Sequence, residues 1–495
     1  MSEQPDILLF ISDQHTPYYT GYFGHNVDTP NMDAIAENGV NFSACYAACP
    51  LCVPSRMSML STLMPNKTGV YTNADTLADT TPTFLHPLVE DGYETVLIGR
   101  MHFIGADQRH GFTKRIAPDM TPTTWGEDRA DQIRQRGRLY ATFVDIAATK
   151  VVGSGESPVI HYDNMVIDKA VEYLSQEHDK PQCIVVGTYG PHFPYIAEPD
   201  LFDKYFAGTE LPVTFDETPG YMNELLLGRQ RNVTPEVARG CLAAYCAQIE
   251  LQDRLLGRVR QAFSTFTAQR SSRRIMVYLS DHGDMAGDRR MYGKNTFFEK
   301  SVRVPMLFEG DGIAKGYEEK AACSLLDVGP TLWELTGAKP LMETDGISLA
   351  KGLLGEAMPA DRIVLGELFE KKSPMPGELP HYARMAVSGS KKFVTYHGYE
   401  EQDMLFDVGA DPLERDNLID RETEIAEALK SAVQATGDPA ALERRQIIRA
   451  SNRRLFVTYE KAAGTIDEET WGDNPETARG QLVREISEPW DGFQM

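Results

Sequence analysis

Four stretches of this chain are apolar on nearly every residue for the length of a strand: DILLFIS (6–12), ETVLIG (94–99), QCIVVGTY (182–189) and RIMVYLS (274–280). A strand with one wet face alternates polar and apolar residues. One that does not alternate is covered on both faces, which requires a largely parallel sheet with helices packed above and below. The intervening segments have helical spacing. In TPNMDAIAENG (29–39), Thr29 suits a cap, Pro30 the first turn and Gly39 the exit. AAYCAQIELQDRLLGRVRQAF (243–263) predicts a long amphipathic helix leading into the fourth strand. The expected fold is therefore α/β, with a large, mostly parallel central sheet flanked by helices.

After about residue 385 the texture changes. RMAVSGSKKFVTYHG and EQDMLFDVGADPLERDNL predict antiparallel strands and turns, followed by a helix over 421–437 and an acidic, irregular tail from about 461. These features divide the chain into a larger first part, 1–385, and a smaller C-terminal α+β subdomain, 386–495, built on a short antiparallel sheet.

In open α/β sheets, ligands bind beyond the carboxyl ends of the strands. The first run ends in Asp13-Gln14, the second in Arg100-Met101-His102, the third in GPHFP with His192, and the fourth in Asp281-His282-Gly283-Asp284. A single strand-end acid or histidine is most often a cap or a loop hydrogen bonder. Several of them gathered at one edge point to a site instead. Asp13, Gln14, Asp281 and His282 form a mostly oxygen donor set, which favours a hard divalent ion, Ca²⁺ or Mg²⁺, with Mn²⁺ accommodated by the imidazole.

CYAACPLCVPSR (45–56) carries three of the seven cysteines, spaced C-x3-C-x2-C. That spacing could clamp an iron–sulfur cluster. However, no glycine-rich SAM-binding segment follows, and a cluster would leave the strand-end acids and histidines without a role. Cys45 and Cys49 are more simply small buried hydrophobes. VPSRMSMLSTLM predicts a helix start, placing Cys52 at a helix N-terminus with Arg56 one turn in, a setting that favours negative charge.

The formal net charge is −23 with a pI near 4.9. Such a field disfavours nucleic acid and anionic membranes as partners, and an anionic substrate would need a locally basic pocket. MSEQPDILLFISDQH has neither a basic n-region nor an apolar run of spanning length, and an odd number of cysteines does not predict a disulfide framework. The expectation is a reduced, cytoplasmic protein.

These residues resemble the sulfatase family of the alkaline-phosphatase-like superfamily, in particular its choline-sulfatase and phosphonate-monoester-hydrolase branch. CVPSR (52–56) is similar to the C-x-P-S-R signature, DQ (13–14) and DHG (281–283) to the metal pairs, and GRMHFIGADQRHGF (99–112) to the G-K-x-H segment. GPHFPY (190–195), YGKNTFFEKSVRVP (292–305) and LFDVGADPLERDNL (405–418) match three further motifs in order. In two places the chain departs from the pattern: Arg100 stands where lysine is usual, and LSTLMP replaces the usual Leu-Thr-Gly half of the signature.

The resemblance implies hydrolysis of a small-molecule sulfate ester, with phosphonate monoester or phosphodiester hydrolysis as the alternative. It implies that a formylglycine-generating maturase oxidises Cys52 and that one divalent metal, first of all Ca²⁺, is bound. By the family pattern Asp281 also helps deprotonate the formylglycine diol and Arg56 holds the resulting alkoxide. Arg100 and Lys294 grip sulfate, and Asn73 matches a sulfate-contacting position. His192 with Lys294 protonates the leaving oxygen, and His102 takes the proton that releases sulfate. A catalytically silent binding protein on this scaffold would lack such an intact set. Choline sulfate would need an aromatic cage, for which Tyr18, Tyr19, Trp125, Trp471 and Trp490 are candidates by residue type only. The tail beyond 461 suits packing on a neighbouring subunit of a homo-oligomer.

Overall fold

All four apolar runs are strands of one sheet in the protein's computed structural model, which describes residues 4–121, 134–135, 138–139, 145–370, 381–463 and 482–486. The sheet has eight strands: β1 (Asp6–Asp13), β2 (Gly39–Phe42), β3 (Glu94–Gly99), β4 (Lys114–Ala117), β5 (Gln182–Pro191), β6 (Arg274–Ser280), β7 (Met306–Gly310) and β8 (Tyr317–Glu319). Their order is β8-β2-β7-β6-β1-β5-β3-β4. Only the pairings of β7 with β6 and β2 are antiparallel. The ends of β1, β3, β5 and β6 therefore open on one edge.

Successive residues of β1 serve two cores, as a pleated strand requires. Ile7, Leu9 and Ile11 join Val53, Met57 and Leu60 of helix α2 (Cys52–Ser61). Leu8 and Phe10 join Val166 and Ile167 of α3 (Pro158–Leu174) and Ile249 and Leu256 of α4 (Pro235–Arg270). Every residue of α2 is buried.

Two local readings need correction. Thr29 does not cap helix α1 (Pro30–Asn38). Its hydroxyl instead accepts from Gly21 N (2.8 Å) and donates to Asp33 Oδ1 (2.9 Å). Gly39 leads directly into β2, and glycine is required there by close approach: a Cβ would lie 1.9 Å from the Phe308 carbonyl oxygen. Helix α4 extends beyond the predicted 243–263 at both ends. Thr234 caps it through Val237 N (3.3 Å), and Pro235 occupies the first turn.

A second sheet joins β9 (Ile363–Glu370), β10 (His381–Ser388), β11 (Lys391–Tyr396) and β12 (Met404–Asp407) in antiparallel order, with the helix Thr423–Gln434 against it. Residue 385 falls within β10, and the sheet begins at Ile363.

A buried ion cluster locks this sheet to the segment around Glu299. Lys392 of β11 donates to Glu299 Oε1 (2.9 Å) and Phe297 O (2.7 Å), and pairs with Glu414. Glu414 Oε2 accepts from Glu299 N (2.8 Å), while Arg303 pairs with Glu299 Oε2 (3.1 Å). Of the tail, residues 482–485 pair antiparallel with Val152–Gly155, and most of the rest lies outside the described residues. Among the described residues, no helix is long and apolar enough to cross a membrane.

Candidate active site

Cys52 is the first residue of α2, with Leu51 as cap, and it is 1% exposed. The Asn73 Oδ1 accepts from Val53 N (3.0 Å), so Asn73 steadies the helix start beside the cysteine. The Cys52 Sγ lies 3.2 Å from His282 Nε2 and 3.8 Å from Asp13 Oδ1. Burial and the Asp13 carboxylate push this thiol up to about 11, outweighing Lys294. A helix N-terminus alone does not make it a thiolate.

Ligand atoms of Asp13, Cys52, Asp281 and His282 all lie within 4.8 Å of one another, the one such group found among the described residues. Cys45 sits by Met306 Sδ (3.8 Å) and Cys49 lies in the core, so the three-cysteine cluster reading has no geometry behind it.

The donor states suit a divalent cation. Burial alone would push Asp13 up, but Arg100, His192, Arg56 and Lys294 together hold its carboxyl well below the usual carboxylate range. Burial lowers His282, and its Nδ1 bonds the Gly283 carbonyl (3.0 Å), which leaves the Nε2 lone pair facing the cluster. These deprotonated forms are the ones that bind metal. Gln14 stands beside them at φ 67°, with its N donating to Asp281 Oδ1 (3.1 Å) and its Nε2 to Asp284 Oδ2 (2.6 Å).

Arg56 is fully buried and binds two carboxylates of this group, Asp281 Oδ2 through Nε (2.7 Å) and Asp13 Oδ2 through Nη2 (3.2 Å). It holds two like charges side by side, which is worth most in a dry site. Arg100 Nε donates to Asp13 Oδ2 (2.6 Å), its Nη1 to Asp119 (3.2 Å) and Thr121 (3.0 Å), and its Nη2 to His102 Nδ1 (2.8 Å). The guanidinium lies 4.3 Å over the Tyr189 ring. Because guanidinium can only donate, His102 accepts at Nδ1, and the neutral ring carries its proton on Nε2.

Lys294 Nζ bridges Gln14 Oε1 (2.7 Å) and His192 Nε2 (2.6 Å). His192 Nδ1 bonds the Phe193 carbonyl (2.7 Å), so Nε2 receives the lysine proton. Burial, then Lys294, holds His192 well below the ordinary histidine range.

The predicted residues thus converge on one edge. Asp119, which was not predicted, also belongs there: it accepts from His102 N (2.7 Å) and from Arg100, fixing both. Its signal was its place just past the short strand β4, in KRIAPD. Tyr18 and Tyr19 form no cage, because their rings face Arg303 (5.8 Å) and Lys300 (5.3 Å) of the protein itself. Trp125, Trp471 and Trp490 lie outside the described residues.

Comparison with known proteins gives the family. The family described as Sulfatase matches residues 5–338, and the family described as N-sulphoglucosamine sulphohydrolase, C-terminal, matches 287–437. A choline-sulfatase from Rhizobium meliloti is 31% identical, over 92% of this chain and 91% of that protein. An arylsulfatase K from Gallus gallus is 24% identical, over 94% of this chain and 88% of its own length. Among solved structures, a phosphonate monoester hydrolase of Agrobacterium radiobacter shares the fold, with a TM-score of 0.69 at 21% identity, covering 89% of this chain and 96% of that one. With its motifs in place on that fold, the chain belongs to the sulfatase family and is a sulfuric ester hydrolase.

Proposed function

We propose that the ester is cleaved at residue 52 after a formylglycine-generating maturase has oxidised Cys52, and that Asp13, Gln14, Asp281 and His282 hold one divalent metal, Ca²⁺ in the first instance and Mn²⁺ or Mg²⁺ otherwise. The observation that carries this reading is the grouping of Cys52, Asp13, Asp281 and His282 within 4.8 Å, ringed by buried cations. The metal, when bound, would lower the pKa of the formylglycine diol and neutralise sulfate oxygens.

The remaining work falls to this chain's own side chains. Asp281 accepts the diol proton. Arg56 keeps the two carboxylates together and faces the charge that forms at residue 52. Arg100 and Lys294 receive the sulfate oxygens, with Asn73 beside them, which supplies the basic pocket a −23 chain needs for an anionic substrate. His192, supplied with a proton by Lys294, protonates the leaving oxygen. His102 takes the proton that moves when sulfate departs, for which its Nδ1 must let go of Arg100, since Nε2 already carries the ring proton.

The substrate is a small sulfate ester. The relationship to a choline-sulfatase makes choline sulfate the first ester to try. We further propose a homo-oligomer in the cytoplasm, checked by sedimentation and by cell fractionation.

The test is the mass of the Cys52 peptide from protein made with a maturase, together with sulfate release before and after chelation. An aldehyde at residue 52 and a rate lost on chelation and restored by Ca²⁺ are expected. An unmodified thiol in active enzyme would overturn the nucleophile, and faster turnover of a phosphonate monoester than of an aryl sulfate would overturn the preference.

A further inference from the structure

His192 follows directly on a break in the register of β5. β5 pairs with β1 through Ile11↔Gly187, and next through Asp13↔Pro191, so its register breaks between Gly187 and Pro191. Backbone N–H groups inside such a break need other partners, since a buried orphan donor is costly.

Asp163, buried on α3, supplies them. Its Oδ1 accepts from Tyr189 N (2.7 Å) and its Oδ2 from Gly190 N (2.8 Å). The Oδ2 also accepts from Gln252 Nε2 of α4 (2.7 Å). One turn earlier on α4, Gln248 Nε2 donates to the carbonyls of Pro194 (2.8 Å) and Ile196 (3.0 Å). The segment is thus gripped on both sides of His192. Gly190 permits the close fit, because a Cβ there would come within 2.4 Å of Gln252 Nε2.

A carboxylate that takes two successive backbone amides fixes the peptide plane between them, and the chain leaving that plane reaches His192 two residues later. Resting on the reading of His192 with Lys294 as the leaving-group acid, we infer that Asp163, held by Gln252, is a positioning residue that aims His192 at the leaving oxygen. It touches no substrate and acts only through the protonation step.

The test compares modified, metal-loaded enzyme on 4-nitrophenyl sulfate, whose leaving group departs without a proton, and on phenyl sulfate, which needs one. Asp163→Asn retains the shape but places an NH2 against an amide N–H. It should lower kcat/KM about 100-fold on phenyl sulfate and at most about threefold on 4-nitrophenyl sulfate, the loss expected when an acid is misplaced by about 1 Å. Equal losses on both esters, or none, would overturn the inference.

His192→Gln separates the two readings. If it too loses equally on both esters, the acid role of His192 is wrong. If His192→Gln is selective and Asp163→Asn is not, only the positioning role falls. Should Asp163→Asn fail to fold, Gln252→Met decides: a smaller loss with the same leaving-group selectivity supports the inference, and a uniform loss or none refutes it.

Discussion

Replacing Lys392 by Met tests the ion cluster that joins the second sheet to the segment carrying Lys294. Lys392 is 0% exposed, and its ammonium lies between the carboxylates of Glu299 and Glu414, themselves 1% and 2% exposed. Methionine fills nearly the same volume, so little cavity forms. What changes is charge: Glu299 retains Arg303, while Glu414 loses Lys392, the stronger of the two cations that oppose the effect of burial on its carboxyl, and keeps only the weaker influence of Arg289. Removing one partner of a buried pair typically costs 3–5 kcal/mol, so about 4 kcal/mol is expected here.

Removing Lys392 raises the native-state affinity of the carboxyls for protons. A group whose pKa is raised on folding is stabilising below its unfolded value and loses that contribution as pH rises. The deficit of the Lys392→Met variant should therefore shrink between pH 8 and pH 5. Adding Glu414→Gln removes one of the uncompensated charges and should recover about half of the loss at pH 8. Urea unfolding followed by intrinsic fluorescence, with unchanged m-values, measures each quantity. A deficit below about 1 kcal/mol, or one that ignores pH, would refute the description of the cluster as charges dependent on one another.

Three further outcomes are expected. Arg100→Lys keeps the charge but cannot reach Asp13, Asp119, Thr121 and His102 at once, so loss of the fork should cost about 2 kcal/mol of stability and at least about tenfold in kcat/KM; wild-type values in both assays would show that charge alone suffices. Glu367, fully buried on β9, is raised by burial to about 7, so it destabilises the fold progressively as pH rises from about 4.5 towards 7. Glu367→Gln should be more stable than wild type by about 3 kcal/mol at pH 8 and equal to it near pH 4, and parallel pH profiles in thermal melts would exclude this. Cys52→Ala should abolish turnover while leaving the melting temperature within about 2 °C, since one small buried side chain is exchanged for another; retained turnover would move the nucleophile elsewhere.

The central strands were legible because a segment covered on both faces has no polar positions to blur it, as in β1 and β6, whose residues are almost all buried. The site followed from them, since strand ends place Asp13, His102, His192 and Asp281 together whatever the loops do. Asp119 escaped because the edge strand before it, KRIA, mixes exposed and buried positions and resembles loop. Asp163 escaped for a different reason. In HYDNMVIDKAVEYL it is one polar residue of an amphipathic helix, and only the register break in a distant strand gives it a role. The full span of α4 was readable from Thr234-Pro235, a cap and first-turn pair. The strand Ile363–Glu370 was not, because it precedes the change of texture that marks its partners.

The way the cations of the site are held has a consequence for encounter. Arg56, Arg100 and Lys294 are at most 3% exposed, and the two arginines are paired with acids. Within a Debye length of the surface, about 8 Å in physiological salt, an approaching ester meets the acidic exterior first, because the pocket cations are buried and the arginines already paired. Diffusion of a purely anionic aryl sulfate is then opposed until the last few ångströms, and added salt should speed capture, the reverse of ordinary electrostatic steering. A zwitterionic ester, whose own cation balances its sulfate, escapes that opposition. The exterior would thus sort substrates by net charge before any pocket residue touches them.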